Sequence, residues 1–382
     1  MTDPPTLLVF APTRRAASET FIRANLRGLP FQVHAYFGDE RPPMQPLRCL
    51  YGVAVLISKA FTKLGWLRLA SWPAALVAML IVRCHHPDVV LAEFGFHAIR
   101  VMHVARWSGV PLVVHFRGSD ASSESKFRRL EQRYRQLMHV ASGFIVKSIP
   151  MSSTLQSLGA PAALVLISPS GADAALFRGA SPETAPPMFL AVGRFVPKKG
   201  PLLTIAAFER LLSQLPESLA SACRLVMVGD GPMLEAAKGL VRQQSLTTQV
   251  RFAGVLPPTE IAALMRQVRG FVQHSLVAPD GDSEGSPVAV MEAQLSGLPV
   301  VATRHAGIPE VVMDGSTGIL VEEGDVQAMA NAMAQLVRNP QLAARLGAAG
   351  QERMSLNFTV EHHLAAVSAL LHRVAQQGAV LR

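Results

Sequence analysis

The sequence predicts an α/β protein with two parallel-sheet domains. The chain has 382 residues, which is more than one hydrophobic core usually supports. Short apolar runs of strand type alternate with helical patterns along almost its whole length, as is typical of parallel strands buried on both faces. A proline-rich break, "RGASPETAPP" at 178–187, divides the runs into two series. We therefore expect two domains with a cleft between them.

The strand-type runs can be followed in chain order. The first series is "TLLVFAPT" (6–13), "FQVHAYFG" (31–38), "DVVLAEF" (88–94), "PLVVHF" (111–116), "GFIVKS" (143–148) and "LVLIS" (164–168). The second series is "MFLAVGR" (188–194), "CRLVMVGD" (223–230), "VRFAGV" (250–255), "GFVQHS" (270–275), "LPVVATR" (298–304) and "GILVE" (318–322). A last helix is predicted at about 359–377. The polar clusters fall at the carboxyl ends of these runs, where parallel sheets bind their ligands.

The composition is apolar, but no segment is long enough to cross a bilayer. Hydrophobic residues make up 49% of the chain and charged residues 16%. The best candidate, the 14 residues between Arg68 and Arg83, is shorter than the ~20 residues that a membrane-spanning helix needs. The first residues lack the features of a signal peptide, so we expect a cytoplasmic protein. Three scattered cysteines predict neither a disulfide framework nor a zinc site.

The excess positive charge lies in the first half of the chain. The net charge is +9; residues 1–185 hold 20 Lys and Arg against 11 Asp and Glu, and the remaining residues hold 16 of each. No acidic residue lies between Arg41 and Pro87, a segment that contains Trp66 and Trp72. Such a segment, like "SKFRRLEQRYRQL" at 125–137, can bind an anionic membrane surface.

Two other interpretations of the basic segments stay open. They can be core helices with a solvated basic face, or a patch that binds nucleic acid. Aromatic residues make up only 6% of the chain and no recognised nucleic-acid module is present, so we do not expect a nucleic-acid partner.

The turn "AVGRFVPKKG" at 191–200 brings cations to the end of a strand. It leaves the strand through Gly193 and then presents Arg194, Lys198 and Lys199. Cations around such a loop suit a diphosphate, whose charge grows as it departs. The alternative is a surface turn with solvated lysines.

A second turn, "VGDGPM" at 228–233, is also rich in glycine. Gly229 and Gly231 either let the backbone approach a ligand or make a tight turn. By itself this turn does not decide between the two.

The stretch "DGDSEGSPVAVMEAQLSGLPVV" at 280–301 is the strongest functional signal. Ser286 and Pro287 are predicted as the N-cap and first residue of a helix, whose free N–H groups favour an anion. Glu284 precedes this start, and Glu292 lies about 7.5 Å along the helix axis. Buried acids need partners, and ligand hydroxyls are suitable ones. The arrangement matches a nucleoside-diphosphate sugar, unless Glu292 caps or forms a salt bridge inside the fold.

The "DGD" at 280–282 has the spacing of an Asp-x-Asp metal site. The cations of "GRFVPKK" already neutralise a diphosphate. We therefore expect solvated carboxylates here and no metal.

These motifs resemble a known family, the retaining GT-B glycosyltransferases of family 4, especially the bacterial exopolysaccharide and colanic-acid-type members. In the second half, "GRFVPKKG", "VGDGPM", "FAGVLP", "EGSPVAVMEAQLSGLPVVAT" and "AGIPEVVMDGSTGILV" appear in the family's order. In the first half, "SETFI", "LAEFG", "VVHFRGSD", "IVKS" and "PSGADAALF" look like the corresponding segments. The resemblance covers nearly the whole chain and implies the GT-B fold, with two Rossmann-like domains facing a central cleft.

The resemblance implies roles for residues of the second half. Glu292 would accept hydrogen bonds from the ribose, Glu284 would contact hydroxyls of the transferred sugar, and Arg194 and Lys199 would hold the diphosphate. Further donor-binding candidates are Gly285 and Ser286, through backbone N–H groups, and the turn glycines Gly193, Gly229 and Gly231.

The first half departs from the family at two places. Family members carry His-Gly where this chain has Arg117 and Gly118, and His115 lies two residues earlier, so His115 and Arg117 are both catalytic candidates. The glycine-rich first loop is replaced by "SET", as in the exopolysaccharide branch, which suggests that Glu19, with Thr20, faces the acceptor.

We assign three segments on this basis. Residues 1–180 are expected to bind the acceptor and residues 186–355 the nucleotide sugar, while 356–382 form a C-terminal helix that either stays with the second domain or returns to the first. The predicted activity is metal-independent, retaining transfer of a hexosyl group from a UDP- or GDP-linked sugar, without another cofactor. The expected acceptor is a lipid-linked glycan at the inner face of the plasma membrane, in exopolysaccharide or cell-surface glycan synthesis.

Three alternatives are weaker. A GT-B epimerase would act on a UDP-sugar without an acceptor, and a non-catalytic sugar-nucleotide sensor or membrane scaffold would bind a donor without turnover. A dinucleotide dehydrogenase is disfavoured because no Gly-x-Gly-x-x-Gly follows the first strand.

Overall fold

The computed structural model describes residues 4–14, 20–41, 44–118, 120 and 124–380. The chain divides into two compact units. Unit 1 comprises Met1–Pro169 together with His363–Arg382, and unit 2 comprises Ser170–His362.

Unit 1 contains a parallel sheet flanked by helices. Its strands are β1 (Thr6–Ala11), β2 (Gln32–Phe37), β3 (Val89–Glu93), β4 (Leu112–His115), β5 (Gly143–Val146) and β6 (Val165–Ile167). The described residues form a six-stranded sheet in the order β2-β1-β3-β4-β5-β6. Its helices are α1 (Thr20–Gly28), α2 (Pro46–Lys63), α3 (Trp72–His85), α4 (Gly95–Val101), α5 (His103–Ser108), α6 (Glu124–Met138) and α7 (Ile149–Ser157).

Unit 2 repeats this architecture. Its strands are β7 (Met188–Val192), β8 (Arg224–Val228), β9 (Val250–Gly254), β10 (Gly270–Gln273), β11 (Val300–Thr303) and β12 (Gly318–Val321). They form a second six-stranded parallel sheet among the described residues, in the order β12-β11-β10-β7-β8-β9. The helices that follow β7 are α8 (Pro201–Ser213), α9 (Glu217–Ala220), α10 (Leu234–Gln243), α11 (Pro258–Met265), α12 (Val288–Ser296), α13 (Ile308–Val311), α14 (Val326–Arg338), α15 (Pro340–Asn357) and α16 (Val360–Val380).

The predicted fold class is confirmed, because each strand lies within one of the apolar runs of the sequence and all the described pairs are parallel. Neighbouring residues of a strand point to opposite faces of the sheet. Phe10 therefore packs in one core with Tyr51 of α2 and Tyr134 of α6. Val9 packs in a second core, on the other face, with Leu371 of α16. The last helix thus completes unit 1.

The segment 170–177 packs in unit 2, although it precedes the predicted break. Ala172 and Phe177 are buried in a core of unit 2. The N–H of Ala172 donates to the carbonyl of Phe358 (3.0 Å), and the N–H of Val360 donates to the carbonyl of Ala172 (3.1 Å). These hydrogen bonds and the burial of Phe177 hold the segment there.

Helix α6 uses its apolar side inside unit 1. Tyr134 and Leu137 are buried in the core, and Phe127 and Leu130 pack against it. The basic segment at 125–137 is therefore a core helix with a solvated basic side, and its apolar residues are not available to a membrane. Within the described residues no helix is long and apolar enough to span a membrane.

The strand orders locate one point in each sheet where a ligand is expected. In unit 1 the order reverses direction between β1 and β3, and in unit 2 between β7 and β10. Open parallel sheets bind ligands outside the carboxyl ends of the strands at such a point.

Candidate functional site

Two loops meet at the carboxyl ends of β7 and β10 in unit 2. The first, 193–200, follows β7, and the second, 274–287, follows β10. Because the two strands are neighbours at the point where the strand order reverses, the side chains of the two loops come together. The strongest sequence motifs therefore lie side by side.

Lys199 and Glu284 form an ion pair that joins the two loops. Lys199 Nζ lies 3.0 Å from Glu284 Oε1 and 3.4 Å from Oε1 of Gln273 at the end of β10. Glu284 is only 7% exposed. Burial opposes its ionisation, but the charges of Lys199 and Lys198 outweigh that effect and lower the pKa of the carboxyl below its usual value. Glu284 is therefore an ionised carboxylate with a fixed counter-ion.

Lys198 also binds the 274–287 loop. Its Nζ donates to Oδ1 of Asp282 and to the carbonyl of Ser283, both at 3.0 Å. Lys198 is buried, so it is neither a solvated surface lysine nor a cation open to a ligand. Among the described residues no cluster of His, Cys, Asp or Glu could hold a metal ion.

Glu292 is an acid without a partner in the described part of the chain. It is the fifth residue of α12, and none of the described residues forms a hydrogen bond or ion pair with its carboxylate. Burial raises the pKa of Glu292 to about 7; Lys199 opposes this shift and Asp173 adds to it. The described contacts thus provide neither the cap nor the salt bridge that the sequence left open, and a hydroxyl-bearing ligand is a suitable partner.

The predicted start of helix α12 is wrong by one residue. The helix begins at Val288, and Pro287 occupies the N-cap position with φ −78° and ψ 92°. The extended ψ of Pro287 takes it out of the helix, although its carbonyl accepts from the N–H groups of Val290 and Met291. Ser286 therefore is not the cap, and its hydroxyl is directed to Sδ of Met291 (3.7 Å) instead.

Arg194 and Gly193 belong to the same site. Gly193, Arg194, Lys199 and Gln273 line one pocket at the end of β7. The Arg194 side chain is exposed and has no ion pair within the described part of the chain. A Cβ at Gly193 would stand 3.3 Å from the methylenes of Lys199, so the glycine leaves room for that side chain. Arg194 is thus a cation open to an anionic ligand.

The glycines of the 228–233 turn accommodate the neighbouring loop. Gly229 and Gly231 have φ of +135° and +155°, and a Cβ on them would collide with the carbonyls of Gly193 and Phe195 respectively. The N–H of Phe195 also donates to the carbonyl of Asp230 at 2.9 Å. Both glycines are needed for this close backbone approach, and a role in ligand binding stays a prediction.

His305, which was not among the site residues predicted from the sequence, contacts the backbone of Glu284. The backbone N–H of Glu284 donates to Nε2 of His305 (3.1 Å), and Nδ1 of His305 lies 2.6 Å from Oε1 of Glu323. The other oxygen of Glu323 accepts from the N–H of Val277 at 2.9 Å. A signal was present in the sequence, since His305 follows β11 at the same edge of the sheet.

The two first-half candidates lie in a closed cluster in unit 1. Arg117 binds Glu93 through two hydrogen bonds, Nε to Oε2 and Nη2 to Oε1, each 2.9 Å long. His115 Nδ1 lies 3.4 Å from Glu93 Oε2. Neither His115 nor Glu93 is exposed, and burial followed by the charge of Arg117 lowers the pKa of His115 well below its usual value. The roles predicted for His115 and Arg117 stay predictions.

Three further residues belong to this cluster, and the sequence analysis named none of them as a site residue. Lys147 is buried and donates to the carbonyl of Ser168 at 3.2 Å, while the Ser168 hydroxyl lies 2.6 Å from Nδ1 of His363 in α16. Burial, and then the charge of Arg117, lowers the pKa of the Lys147 amine well below its usual value.

The acceptor candidates are not placed. Glu19 lies outside the described residues, and Thr20 is described only as the first residue of α1.

Comparison with known proteins connects unit 2 with one family. Residues 174–353 match the family described as "Glycosyl transferases group 1". The chain is 32% identical over 256 residues to the putative colanic acid biosynthesis glycosyltransferase WcaL of Salmonella typhimurium, and this match covers 66% of the chain but only 62% of WcaL. It is 27% identical over 295 residues to the amylovoran biosynthesis glycosyltransferase AmsK of Erwinia amylovora, covering 75% of the chain and 70% of AmsK.

A solved structure shares the fold. HepE of Anabaena, crystallised with UDP, superposes with a TM-score of 0.71 at 17% identity, over 96% of this chain and 100% of HepE. The two-loop site and the family match therefore lie in the same part of the chain, and the shared fold extends over nearly all of it.

Proposed function

Because residues 174–353 form a domain of the glycosyl transferases group 1 family, we propose that the chain is a retaining glycosyltransferase. It moves a hexosyl group from a nucleotide-diphosphate sugar to a lipid-linked glycan. The similarity to WcaL and AmsK, whose names refer to colanic acid and amylovoran biosynthesis, supports a role in exopolysaccharide synthesis.

One observation carries this proposal: Glu292 is a half-buried acid without a partner among the described residues, near the ion pair of Lys199 and Glu284. A carboxylate whose pKa is raised by desolvation is stabilised when hydroxyl groups donate hydrogen bonds to it. The ribose of a nucleotide supplies two such hydroxyls. Because the site lies where a parallel sheet of this topology binds its ligand, we assign Glu292 to the ribose. The UDP bound to HepE, which has the same fold, is consistent with a nucleotide here.

The remaining groups suit the diphosphate and the sugar. Arg194 is exposed and lines the same pocket as Lys199, which is paired with Glu284. Both cations stabilise the negative charge that develops on the departing diphosphate. The Glu284 carboxylate, kept ionised by Lys199, accepts hydrogen bonds from hydroxyls of the transferred sugar, and the backbone N–H groups of Gly285 and Ser286 hold the donor.

The reaction we propose needs neither a covalent nucleophile nor a metal. The bond between the anomeric carbon and the diphosphate breaks, and the acceptor oxygen bonds to that carbon from the same face. The departing phosphate stabilises the oxocarbenium-like centre and takes the proton of the acceptor hydroxyl. The cations replace a metal at the diphosphate, and Asp282, the acid of the Asp-x-Asp pattern nearest to Glu284, is bound to Lys198.

A membrane-bound acceptor fits the surface of unit 1. Large apolar side chains are exposed along α2, the following turn, α3 and α5: Leu50, Val53, Leu56, Ile57, Leu64, Trp66, Leu69, Trp72, Leu76, Leu80 and Trp107. We call these residues the apolar face. The exposed cations Lys63 and Arg68 lie among them in the sequence. Exposed tryptophans with lysine and arginine are typical of proteins that bind the surface of an anionic membrane, so we propose peripheral association through this face.

The test is donor binding by wild type and Glu292→Gln, with Glu260→Gln of α11 as the matched control. Glu260 is an exposed glutamate of the same unit. We expect one nucleotide among UDP-, GDP- and ADP-sugars to raise the melting temperature of the wild type and the control. Glu292→Gln should bind it about 10- to 100-fold more weakly, because hydrogen bonds to a charged acceptor are lost.

Absence of binding to folded wild type would overturn the donor site. Binding without transfer to any lipid-linked acceptor would favour a non-catalytic sugar-nucleotide-binding protein. Conversion of the donor alone would favour an epimerase.

A further inference from the structure

We propose that His305 and Glu323 are positioning residues that fix the backbone of Glu284 for the transferred sugar. The inference rests on the proposed function in one respect, that Glu284 faces the sugar. Neither residue carries a role in the donor-binding scheme above. Their contacts with the 274–287 loop suggest one.

The hydrogen bonds fix the proton on His305. The N–H of Glu284 can only donate, so Nε2 of His305 accepts and carries no proton. Nδ1 therefore carries the proton and donates to Oε1 of Glu323, 2.6 Å away. The ring is only 1% exposed, so water does not replace either partner. Glu323 thus selects the one tautomer of His305 that can hold the amide of Glu284.

Glu323 is itself held by the loop that it supports. Its Oε2 accepts from the N–H of Val277, near the start of the 274–287 loop, while His305 accepts from the N–H of Glu284, near the end of that loop. The carboxylate therefore ties two points of one loop to the turn after β12. A second histidine connects the same turn and loop, since His274 Nε2 accepts from the N–H of Gly324 at 2.9 Å.

Glu284 consequently has two independent attachments. Lys199 binds its carboxylate, and His305 binds its amide. Lys199 alone leaves the peptide free to rotate, which changes the direction of the carboxylate lone pairs toward the sugar hydroxyls. Misplacement of a reacting group by about 1 Å can cost as much as about 100-fold in rate. Loss of the pair is thus expected to affect sugar transfer more than nucleotide binding.

The sharpest variant is Glu323→Gln. Glutamine keeps the size of the side chain, but its amide group cannot accept from both His305 and Val277. The matched control is Glu322→Gln, which removes the same charge one residue earlier, where the carboxylate lies 3.3 Å from Nε of Arg304 and does not contact His305. His305→Ala and His305→Gln form a second pair, because the glutamine oxygen can still accept from the amide of Glu284.

We expect Glu323→Gln to lower kcat/KM for sugar transfer at least about tenfold. The Kd for the nucleoside diphosphate should change less than about twofold, since that part of the donor does not depend on Glu284. Glu322→Gln should match the wild type in both measurements. His305→Gln should retain more activity than His305→Ala at equal nucleotide affinity. Equal activity of Glu323→Gln and Glu322→Gln would overturn the inference.

A measurement that needs no substrate separates this inference from the proposed function. ¹⁵N NMR of the ring nitrogens should find Nδ1 protonated in wild type and in Glu322→Gln. In Glu323→Gln the Nδ1 resonance should shift, because its partner is no longer charged, and the amide resonance of Glu284 should shift with it. If these signatures appear and the wild type binds no nucleotide sugar, the positioning of Glu284 by His305 and Glu323 is supported and the proposed function fails. An Nε2-protonated ring in the wild type overturns the pair, whatever the activity.

Discussion

The two sheets carry similar residues at the carboxyl ends of their strands, but they leave different groups unpaired. In unit 1, Glu93 is bound by Arg117 and lies beside His115, with no exposure to solvent. In unit 2, Glu284 is bound by Lys199, but the nearby Glu292 has no partner among the described residues. A glutamate and a cation at a strand end are therefore not enough to propose a binding site. The proposal rests on the acid that has no partner among the described residues.

The comparison predicts a structural role for Glu93, and it supports the ligand-binding role proposed for Glu292. The largest expected effect follows from Glu93→Gln, which leaves Arg117 and Lys147 buried without their negative partner. Breaking a buried ion pair by removing one partner costs about 3–5 kcal/mol. We expect a loss of that order in the free energy of unfolding, measured by urea denaturation.

Glu131→Gln is the control for that variant. Glu131 is paired with Arg135 on the exposed side of α6, at 2.9 Å. This pair should contribute no more than about 0.5 kcal/mol. If the two variants lose the same stability, the cluster in unit 1 does not depend on its charge.

The second prediction concerns the pH dependence caused by Glu292. Its pKa is about 7 in the folded protein and 4.5 ordinarily, so the folded chain holds this proton when the unfolded chain has lost it. Stability therefore falls as the pH rises from 4.5 to about 7, by at most about 3 kcal/mol, and falls no further above that. Glu292→Gln should abolish this fall. The free energy of unfolding is measured by urea denaturation across this pH range. If wild type and variant show the same dependence on pH, Glu292 has a partner.

The third prediction is that Lys199→Met removes the main charge that keeps the Glu284 carboxyl ionised. In the wild type the lowered pKa of Glu284 contributes stability that is present above its ordinary pKa of 4.5 and is lost as the pH falls through the lowered value. Without Lys199, burial dominates and the carboxyl becomes costly to ionise. We expect a loss of about 1–3 kcal/mol at neutral pH by urea denaturation.

Lys238→Met, which breaks an exposed pair with Glu235, should leave the unfolding midpoint unchanged. If Lys199→Met also leaves the unfolding midpoint unchanged, Glu284 is solvated and does not depend on its counter-ion.

The smallest effect concerns the surface, where the two units also differ. Lys63→Ala and Arg68→Ala should each weaken binding to anionic vesicles by about 1 kcal/mol, without changing the melting temperature. Arg251→Ala, at an exposed position of β9 in unit 2, removes the same charge and should have no effect. Equal losses for all three variants in a vesicle co-sedimentation assay would mean that net charge, and not the apolar face, determines binding.

The sheets could be predicted because their signal is local. A parallel strand buried on both faces appears as a short apolar run, and each run of the sequence contains a strand. The start of α12 could not be predicted to the residue, because proline restricts φ but not ψ, and the ψ of Pro287 depends on the loop before it.

The site was predictable only where its residues are close in sequence. Glu284 and Glu292 share one motif, and the cations of the 193–200 turn share another. His305 and Glu323 are 18 residues apart, and Ser168 and His363 are 195 apart, so no spacing rule connects them. Their roles follow from hydrogen bonds, which depend on the order of strands in the sheet.

The position of α16 in unit 1 has a consequence for biosynthesis. Val367 and Leu371 cover the face of the first sheet that includes Leu7 and Val9, although they are translated after the whole of unit 2. Unit 2 is one continuous segment, so it can finish folding while unit 1 still exposes an apolar sheet face. A nascent chain that stops before residue 363 therefore presents a substrate for chaperones, and the unit that is translated first is the one that is completed last.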